Sequence, residues 1–443
     1  MARFVRTIIV IAALLIPVST SAQIMSARRL GMGGTTVVRG GPGSDGANVA
    51  YRAVPRAPST GRSLPLPLGL IPLAKDPPVF DYNDPRFNAF ELLNLAYNLP
   101  WNYPLSKPAA PSSDITIAIG QNDLIVDLGQ VRGIFPDGES RMGSEVRSPA
   151  LVVGIGRAFV GVSPLIQYEN DIRLNDALDN ALAHGEAFVP NTRYEMFARV
   201  RAQAAVQGML GWAQPVWRPD GSDKKSRDGI YAGARAKLLR GLAYADGDPA
   251  AAFTTSDSLF GSNPVDIGTS GTTRVADPNG GKLGHGFDAG AVVVMGATEF
   301  GLALNEIGTK IRWNVDESVF EKDSVSGDYV QRTVAKGKPF TSEVPTTALF
   351  TASTRVAGIL AAGDVVRSAN NITTWHLGAE RWLGKSLALR AGLGLDANNM
   401  VETSGGLGLR MGKIGIDLAV ATNSRNVTRE RTAELGAGFA FYF

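Results

Sequence analysis

The stretch Thr432-Ala433-Glu434-Leu435-Gly436-Ala437-Gly438-Phe439-Ala440-Phe441-Tyr442-Phe443 decides the fold. Every odd position from Ala433 to Phe443 is apolar, while the even positions hold Thr, Glu, Gly, Gly, Ala and Tyr. A strand points successive side chains to opposite faces, so one face here is oily and the other small or polar. The chain ends inside this strand, on an aromatic residue. The pattern predicts a closing strand of an outer-membrane β-barrel, with lipid outside and a polar lumen inside.

The opposite end agrees. Arg3 and Arg6 precede the apolar run Ile8 to Ile16, which is too short to span a bilayer as a helix. Thr20 and Ala22 are the small residues of a cleavage site, so residues 1–22 are expected to be a secretory signal peptide. No later run is long and apolar enough for a helical span. The chain has no cysteine, which excludes disulfides, thiolate metal sites and a lipidated N-terminal cysteine. Formal charge is +3, and removing Arg3 and Arg6 leaves +1, so nothing points to nucleic acid as a partner. A mean hydropathy near zero with 51 glycines suits a barrel, where lipid-facing and lumen-facing residues average out.

Alternating segments recur toward the front. In 414–422 the apolar set is Ile414, Ile416, Leu418 and Val420; in 387–395 it is Leu387, Leu389, Ala391, Leu393 and Leu395. Gly384-Lys385 and Gly412-Lys413 read as tight turns, whereas 396–401 and 424–431 are longer and polar. Short turns on one side and long loops on the other are the outer-membrane pattern. Carried through the chain, the pattern predicts an all-β fold: a transmembrane antiparallel barrel of about fourteen strands, the first at 114–134. The insertions 169–194, 245–285 and 315–345 then fall on the long-loop side, and 215–228 on the short-turn side. Helices are expected over Phe87 to Leu99, after the cap Asn83-Asp84-Pro85, and over Asn175 to Ala183, where Ala177, Leu178, Ala181 and Leu182 recur at helical spacing.

The domain reading is signal peptide 1–22, N-terminal hatch or plug 23–113, and barrel 114–443. The middle segment is rich in Pro and Gly, and Leu64-Pro65-Leu66-Pro67-Leu68 cannot be a central strand. It either fills the lumen or sits in the periplasm. A barrel this wide cannot be filled by wall side chains alone, which favours a plug.

The segment Ser26-Ala27-Arg28-Arg29-Leu30-Gly31-Met32-Gly33-Gly34-Thr35 resembles the opening of the FadL/OMPP1 superfamily, in particular its PorV-like and conjugal-transfer TraF-like branch. Gly31, Gly33 and Gly34 carry the likeness as a hatch motif. Asp45 to Pro55 lacks the Asn-Pro-Ala ending of that family. Trp375 to Glu380, Leu387 to Gly392, Gly405 to Asp417, Gly286 to Gly290 and Phe300 to Gly308 are similar to its later strands. The resemblance implies a fourteen-stranded barrel with an N-terminal hatch in the outer membrane of a Gram-negative-type bacterium. It implies passive uptake of hydrophobic small molecules, such as a long-chain fatty acid, or a scaffold for secreted and surface proteins. The expected partners are outer-membrane lipid, the hydrophobic solute, and the barrel-assembly machinery acting on the strand ending at Phe443.

Several constellations carry candidate chemistry. Gly40 to Asp45 fits one turn of a calcium-binding nonapeptide, but such turns share ions in tandem and only one copy is present. His184, His285 and His376 have no partner at ligand spacing, so neither a metal nor a cofactor is expected. Only His376 falls on an expected strand and no Ser motif marks a nucleophile, so the chain is not expected to be an enzyme. Glu380, Arg390, Arg410 and Asp417 lie on four consecutive strands near the short-turn side. They are expected to form one lumenal charge cluster, either bracing the wall or forming a track for a polar head group. Arg28 and Arg29 would meet a carboxylate ligand or tie the plug to lumenal acids. Ser163-Pro164 lies inside the third expected strand, where Pro removes a ladder donor. In the resembled family a kink in this strand opens the wall to lipid; an ordinary bulge is the alternative. Phe159 and Leu165 share the inward parity of Ser163 and would flank such an opening.

Overall fold

The computed structural model describes residues 26–40, 44–57, 62–66, 68, 70–75, 77, 103–105, 116–119, 124–127, 139–147, 151–220, 226–257, 265–322, 329–368, 373–395, 401–423 and 432–442. The expected signal peptide, the expected helix Phe87 to Leu99, and Phe443 lie outside the described residues.

The strands are β1 (Arg62–Pro65), β2 (Tyr103–Pro104), β3 (Thr116–Ile119), β4 (Leu124–Asp127), β5 (Glu139–Arg147), β6 (Leu151–Ile155) and β7 (Ala158–Leu174). They continue as β8 (Arg193–Trp217), β9 (Gly229–Gly247), β10 (Ala250–Thr255), β11 (Val265–Met295), β12 (Thr298–Lys322) and β13 (Tyr329–Glu343). The last are β14 (Thr347–Val356), β15 (Ile359–Ser368), β16 (Thr373–Leu383), β17 (Leu387–Leu395), β18 (Val401–Met411), β19 (Ile414–Asn423) and β20 (Thr432–Phe441). Among the described residues the helices are α1 (Ala27–Leu30), α2 (Leu70–Lys75) and α3 (Asp176–Ala183). Among the described residues no helix is long and apolar enough to cross a membrane.

Neighbouring strands pair antiparallel in chain order around the wall, from β7 through β8, β9, β11, β12, β14 and β15 to β20. β9 and β10 behave as one strand, since both pair with β8 and β11. β13 and β14 likewise share β12. Gly384 and Gly412 turn the chain at φ 66° and 65°, a region that costs glycine nothing.

The face alternation is that of a barrel in lipid. Leu389, Leu393, Ile414, Leu418, Val420 and Phe439 face outward and are exposed. Ala388, Arg390, Asp417, Ala419 and Ala440, one position away, face inward and are buried. An apolar exterior around a polar, filled interior is the pattern of a barrel wall in a bilayer.

The wall begins differently from the expected strand at 114–134. β3 and β4 pair with each other in a separate two-stranded sheet. The neighbours of β20 beyond β19 are β1, opposite Phe441 to Gly438, and β2, opposite Leu435 and Glu434. Leu66 N donates to Ala437 O and Leu105 N to Ala433 O. The two pieces therefore line one edge in a single register, parted at Gly436. Pro65 sits at the end of β1, where a missing donor does not break a central ladder.

The insertions expected as loops are mostly sheet. β8, β11 and β12 run 25, 31 and 25 residues, against roughly 9–11 needed to cross a bilayer. The surplus projects on the long-loop side. Cross-strand charges hold it together: Arg274 pairs with Asp246 at 3.2 Å and Glu317 at 3.0 Å, and Lys338 with Glu317 at 2.9 Å. Such pairs substitute for lipid burial in water-exposed strands. α3 caps the hairpin between β7 and β8, starting where the Asn175 side chain accepts from Leu178 N at 3.0 Å. Leu178 and Ala181 pack there with Phe188 and Tyr194.

Candidate functional site

The N-terminal segment lies inside the wall. α1 contacts β18, β19 and β20, while the 3-10 turn Val49–Arg52 contacts β8, β9 and β11. Between these strand groups residues 26–40 and 44–57 follow the inner face of the wall, with Thr36 on Asp364 of β15 and Gly40 on Glu299 of β12. Met32, Val49, Ala50, Tyr51 and Val54 are fully buried against the inner wall.

α1 is short but well started: the Ser26 side chain accepts from Arg29 N at 3.3 Å. Gly33 and Gly34 follow it at φ 72° and 79°. At that turn Gly33 N donates to Ser404 Oγ at 2.8 Å. Gly31 packs against the backbone of Gly406. The three motif glycines thus sit where the segment presses on β16, β17 and β18. A cavity of about 10 Å³ lies beside them, lined by Leu30, Gly33, Gly34, Glu402 and Ser404 among others.

Four buried polar groups join segment to wall. In the first, Arg28 Nε and Nη2 donate to Glu380 Oε2 and Oε1, both at 2.8 Å. Arg390 donates to Glu380 Oε2 at 2.8 Å and to Asp417 Oδ1 at 2.7 Å. Arg410 stands apart from this group, with its guanidinium 4.1 Å from the Tyr442 ring centre and its Nε on Gly412 O. Arg29 turns back on its own segment, donating to Thr35 O at 2.6 Å.

The other three groups escaped the sequence reading. His376 Nδ1 and Asp364 Oδ1 are 2.7 Å apart, and Asp364 Oδ2 accepts from Thr36 N. Glu299 accepts from Gly40 N at 2.8 Å and from Arg227 at 2.7 Å; Arg227 Nε also reaches Pro55 O. Arg235 and Lys237 both pair with Asp288, and Lys237 also with Glu306. Arg235 continues onto the carbonyls of Asp45 and Gly46 at 3.1 and 3.2 Å. The available signal was parity: Arg235 and Lys237 alternate with Ala234, Ala236 and Leu238, which puts both cations on the inward face. Arg227 came from the basic insertion on the short-turn side.

Toward the long-loop side the inner wall turns apolar. Leu165, Leu239, Tyr244, Ile311, Trp313 and Val315 form one buried cluster across β7, β9 and β12. Tyr244 stacks on Trp313 at 5.2 Å between ring centres and meets Phe340 at 5.3 Å. A polar seam runs beside it: Trp313 Nε1 donates to Ser342 Oγ at 2.8 Å, and Ser342 Oγ to Gln203 Oε1 at 2.6 Å.

Ser163 and Pro164 sit at the edge of that cluster. Phe159, Ser163 and Leu165 are buried and inward, and Gln207 donates to Ser163 Oγ at 2.8 Å. The β7–β8 ladder is continuous through Pro164, opposite Val206. On the other side the register shifts: Arg147 of β5 lies opposite Leu165, and Leu151 of β6 opposite Val162. Four steps on one strand meet three on the other, a one-residue mismatch at Ser163-Pro164. Phe159 carries the Arg52 guanidinium over its ring at 4.7 Å. His285, expected outside the strands, lies on β11 opposite Lys310. Among the described residues no group of His, Asp and Glu could hold a metal.

The sequence matches no protein-family model and no curated protein. Among solved structures it is similar to the toluene transporter TbuX of Ralstonia pickettii, at 12% identity over 70% of this chain and 91% of that one, TM-score 0.30. A Pseudomonas aeruginosa FadL homologue matches at 13% identity over 66% and 77%, TM-score 0.36. Outer membrane phospholipase A of Escherichia coli matches at 10% identity over 54% and 80%, TM-score 0.23. By its own strand pairing and face alternation the chain is an antiparallel β-barrel of the transmembrane type, and its likeness to these proteins is one of fold.

Proposed function

We propose that this barrel passes hydrophobic small molecules across the outer membrane, a long-chain fatty acid or a comparable apolar solute. The observation that carries the reading is the packed apolar cluster of Leu165, Leu239, Ile311 and Trp313 inside the wall. A lumen serving water and ions has no use for such a cluster, whereas side chains that part to admit a solute would offer it a mostly apolar site with a few placed polar groups. The lumenal ions point the same way. Arg28 and Arg390 balance Glu380 and Asp417; Arg235 and Lys237 balance Asp288 and Glu306; Arg227 balances Glu299. Balanced groups create no field of one sign to select ions.

Residues 26–57 act as the hatch, and the wall beside Ser163-Pro164 is the exit to the bilayer. Leu165 borders both the apolar cluster and the register shift of β5 and β6 against β7, which supports this route. The aromatic end of β20 is the signal for the assembly machinery. Pro164→Val restores a ladder donor. In liposomes the variant is expected to admit a hydrophobic dye more slowly than wild type at equal barrel stability. Equal influx would remove the lateral exit.

A second reading is a scaffold for secreted or surface proteins. It is favoured by the β-extension of β8 to β13 beyond the bilayer, a platform a simple channel does not require. Equal dye influx in wild type, the Pro164 variant and protein-free vesicles would move the weight there.

A further inference from the structure

The outward faces of β9, β11 and β12 carry an apolar column that ends in a group of cations. From the short-turn side the column includes Ile230 and Leu238 on β9, Met295 and Phe287 on β11, and Phe300, Leu302 and Leu304 on β12, all exposed. Above it stand Arg240, His285 and Lys310, ten residues beyond Ile230, Met295 and Phe300 respectively, all exposed. On β9 the ten residues from Ile230 to Arg240 extend about 34 Å along the strand, or about 24 Å along the membrane normal at a tilt of about 45°, while His285 and Lys310 pair level with Leu238, two residues lower. That matches an apolar band about 25 Å tall, so Arg240 stands at headgroup depth.

The ladder brings them together. Leu283 lies opposite Arg240, and His285 opposite Lys310. A register shift between Gly281 and Gly284 sets Lys282 and Leu283 both against Arg312. Such a bulge turns two neighbouring side chains to one face, and both are exposed. Arg312 Nε leans on Leu283 O at 3.4 Å, which leaves the rest of its guanidinium outward. Lys310 is engaged by Glu343 at 2.8 Å. Arg240, Lys282 and Arg312 have no ion-pair partner among the described residues.

We propose that this face binds an anionic membrane lipid, with headgroup phosphates on Arg240, Lys282 and Arg312 and acyl chains on Leu238, Phe287 and Leu304. Cations grouped at one height directly above an apolar face are complementary to a phosphate above hydrocarbon. Planar guanidiniums on two strands also suit bidentate phosphate contacts. A protein partner would not need the apolar column continued through the full membrane thickness. The proposal rests on membrane insertion alone and holds whether the lumen transports or not.

The test uses the full-length barrel folded in neutral detergent micelles doped with lipid A, a bis-phosphorylated glycolipid, with retained lipid read by native mass spectrometry. Wild type is expected to keep lipid A, and R240Q/K282Q/R312Q to keep about tenfold less or lower. R240K/R312K is expected to keep most of it. Dephosphorylated lipid A should not be retained, and inorganic phosphate at matching concentration should not displace the lipid. Equal retention by the glutamine variant, or equal retention of the dephosphorylated lipid, overturns the proposal. Should the glutamine variant not fold, raising salt on wild type replaces it. Retention unchanged between low and high salt then overturns the proposal, since phosphate contacts at an exposed face are screened.

Discussion

Arg28 grips Glu380 with two parallel hydrogen bonds of 2.8 Å, so the first helix of the lumenal segment is fastened to β16 by a planar fork. Glu380 is fully buried and also accepts from Arg390. One carboxylate therefore serves two guanidiniums. Removing it leaves two cations facing each other in a low-dielectric interior. Breaking one member of such a group costs about 3–5 kcal/mol.

Glu380→Gln is therefore expected to lower the urea midpoint of the folded barrel, followed by heat-modifiable mobility on a gel. Protease added from the short-turn side should also cut within residues 26–57 faster than in wild type. An unchanged midpoint together with unchanged cleavage would mean that the fork is dispensable.

Much of this architecture was readable from alternation. The outward set of β17, β19 and β20 follows the period of two, because lipid on one side and the lumen on the other impose opposite chemistry on neighbouring residues. The same logic located Glu380, Arg390 and Asp417 on one face. It could not place Arg410, which sits one pair nearer the rim and stacks on Tyr442. It also missed the strands beyond the bilayer. Water on both faces removes the apolar stripe, and pairs such as Arg274 with Glu317 do not announce themselves by period. The interrupted edge formed by β1 and β2 was hidden because its two pieces lie far apart in sequence.

The lipid face offers a direct measure of membrane burial. Leu407 lies near the middle of β18, between outward Leu389 and Leu418, and is exposed. An arginine at the midplane of a barrel exterior costs about 2–4 kcal/mol. Leu407→Arg should lose about that much in reversible unfolding from liposomes. A loss below 0.5 kcal/mol, on the order of an ordinary surface change, would place β18 outside the hydrocarbon.

Topology is checked at the hairpin between β10 and β11. Thr255 and Val265 end a β-extension that projects on the long-loop side. Protease applied to intact cells is expected to cut between them and to spare Gly384 and Gly412 in the tight turns. Cleavage there only after the outer membrane is opened would reverse the orientation.

The contact between segment and wall also depends on glycine at one place. A Cβ on Gly392 would stand 2.0 Å from Gly33 N and 2.3 Å from Met32 C, both backbone atoms that cannot swing aside. Opposite it on β16, a Cβ on Gly378 would meet Met32 O at 2.4 Å. The wall is thus smooth where the segment turns at Gly33, and that turn has φ 72° with its N–H committed to Ser404. Gly392→Val cannot be absorbed by a side-chain rotation. The strand itself favours Val, so the wall should survive while the segment is displaced. The expected result is a folded, heat-modifiable barrel in which residues 26–57 become protease-sensitive and single-channel conductance in planar bilayers rises. Gly405→Ala serves as the control, since a Cβ there meets nothing closer than Arg390 O at 3.8 Å. Matching conductance and matching cleavage in the two variants would show that the segment does not need this contact to stay in the lumen.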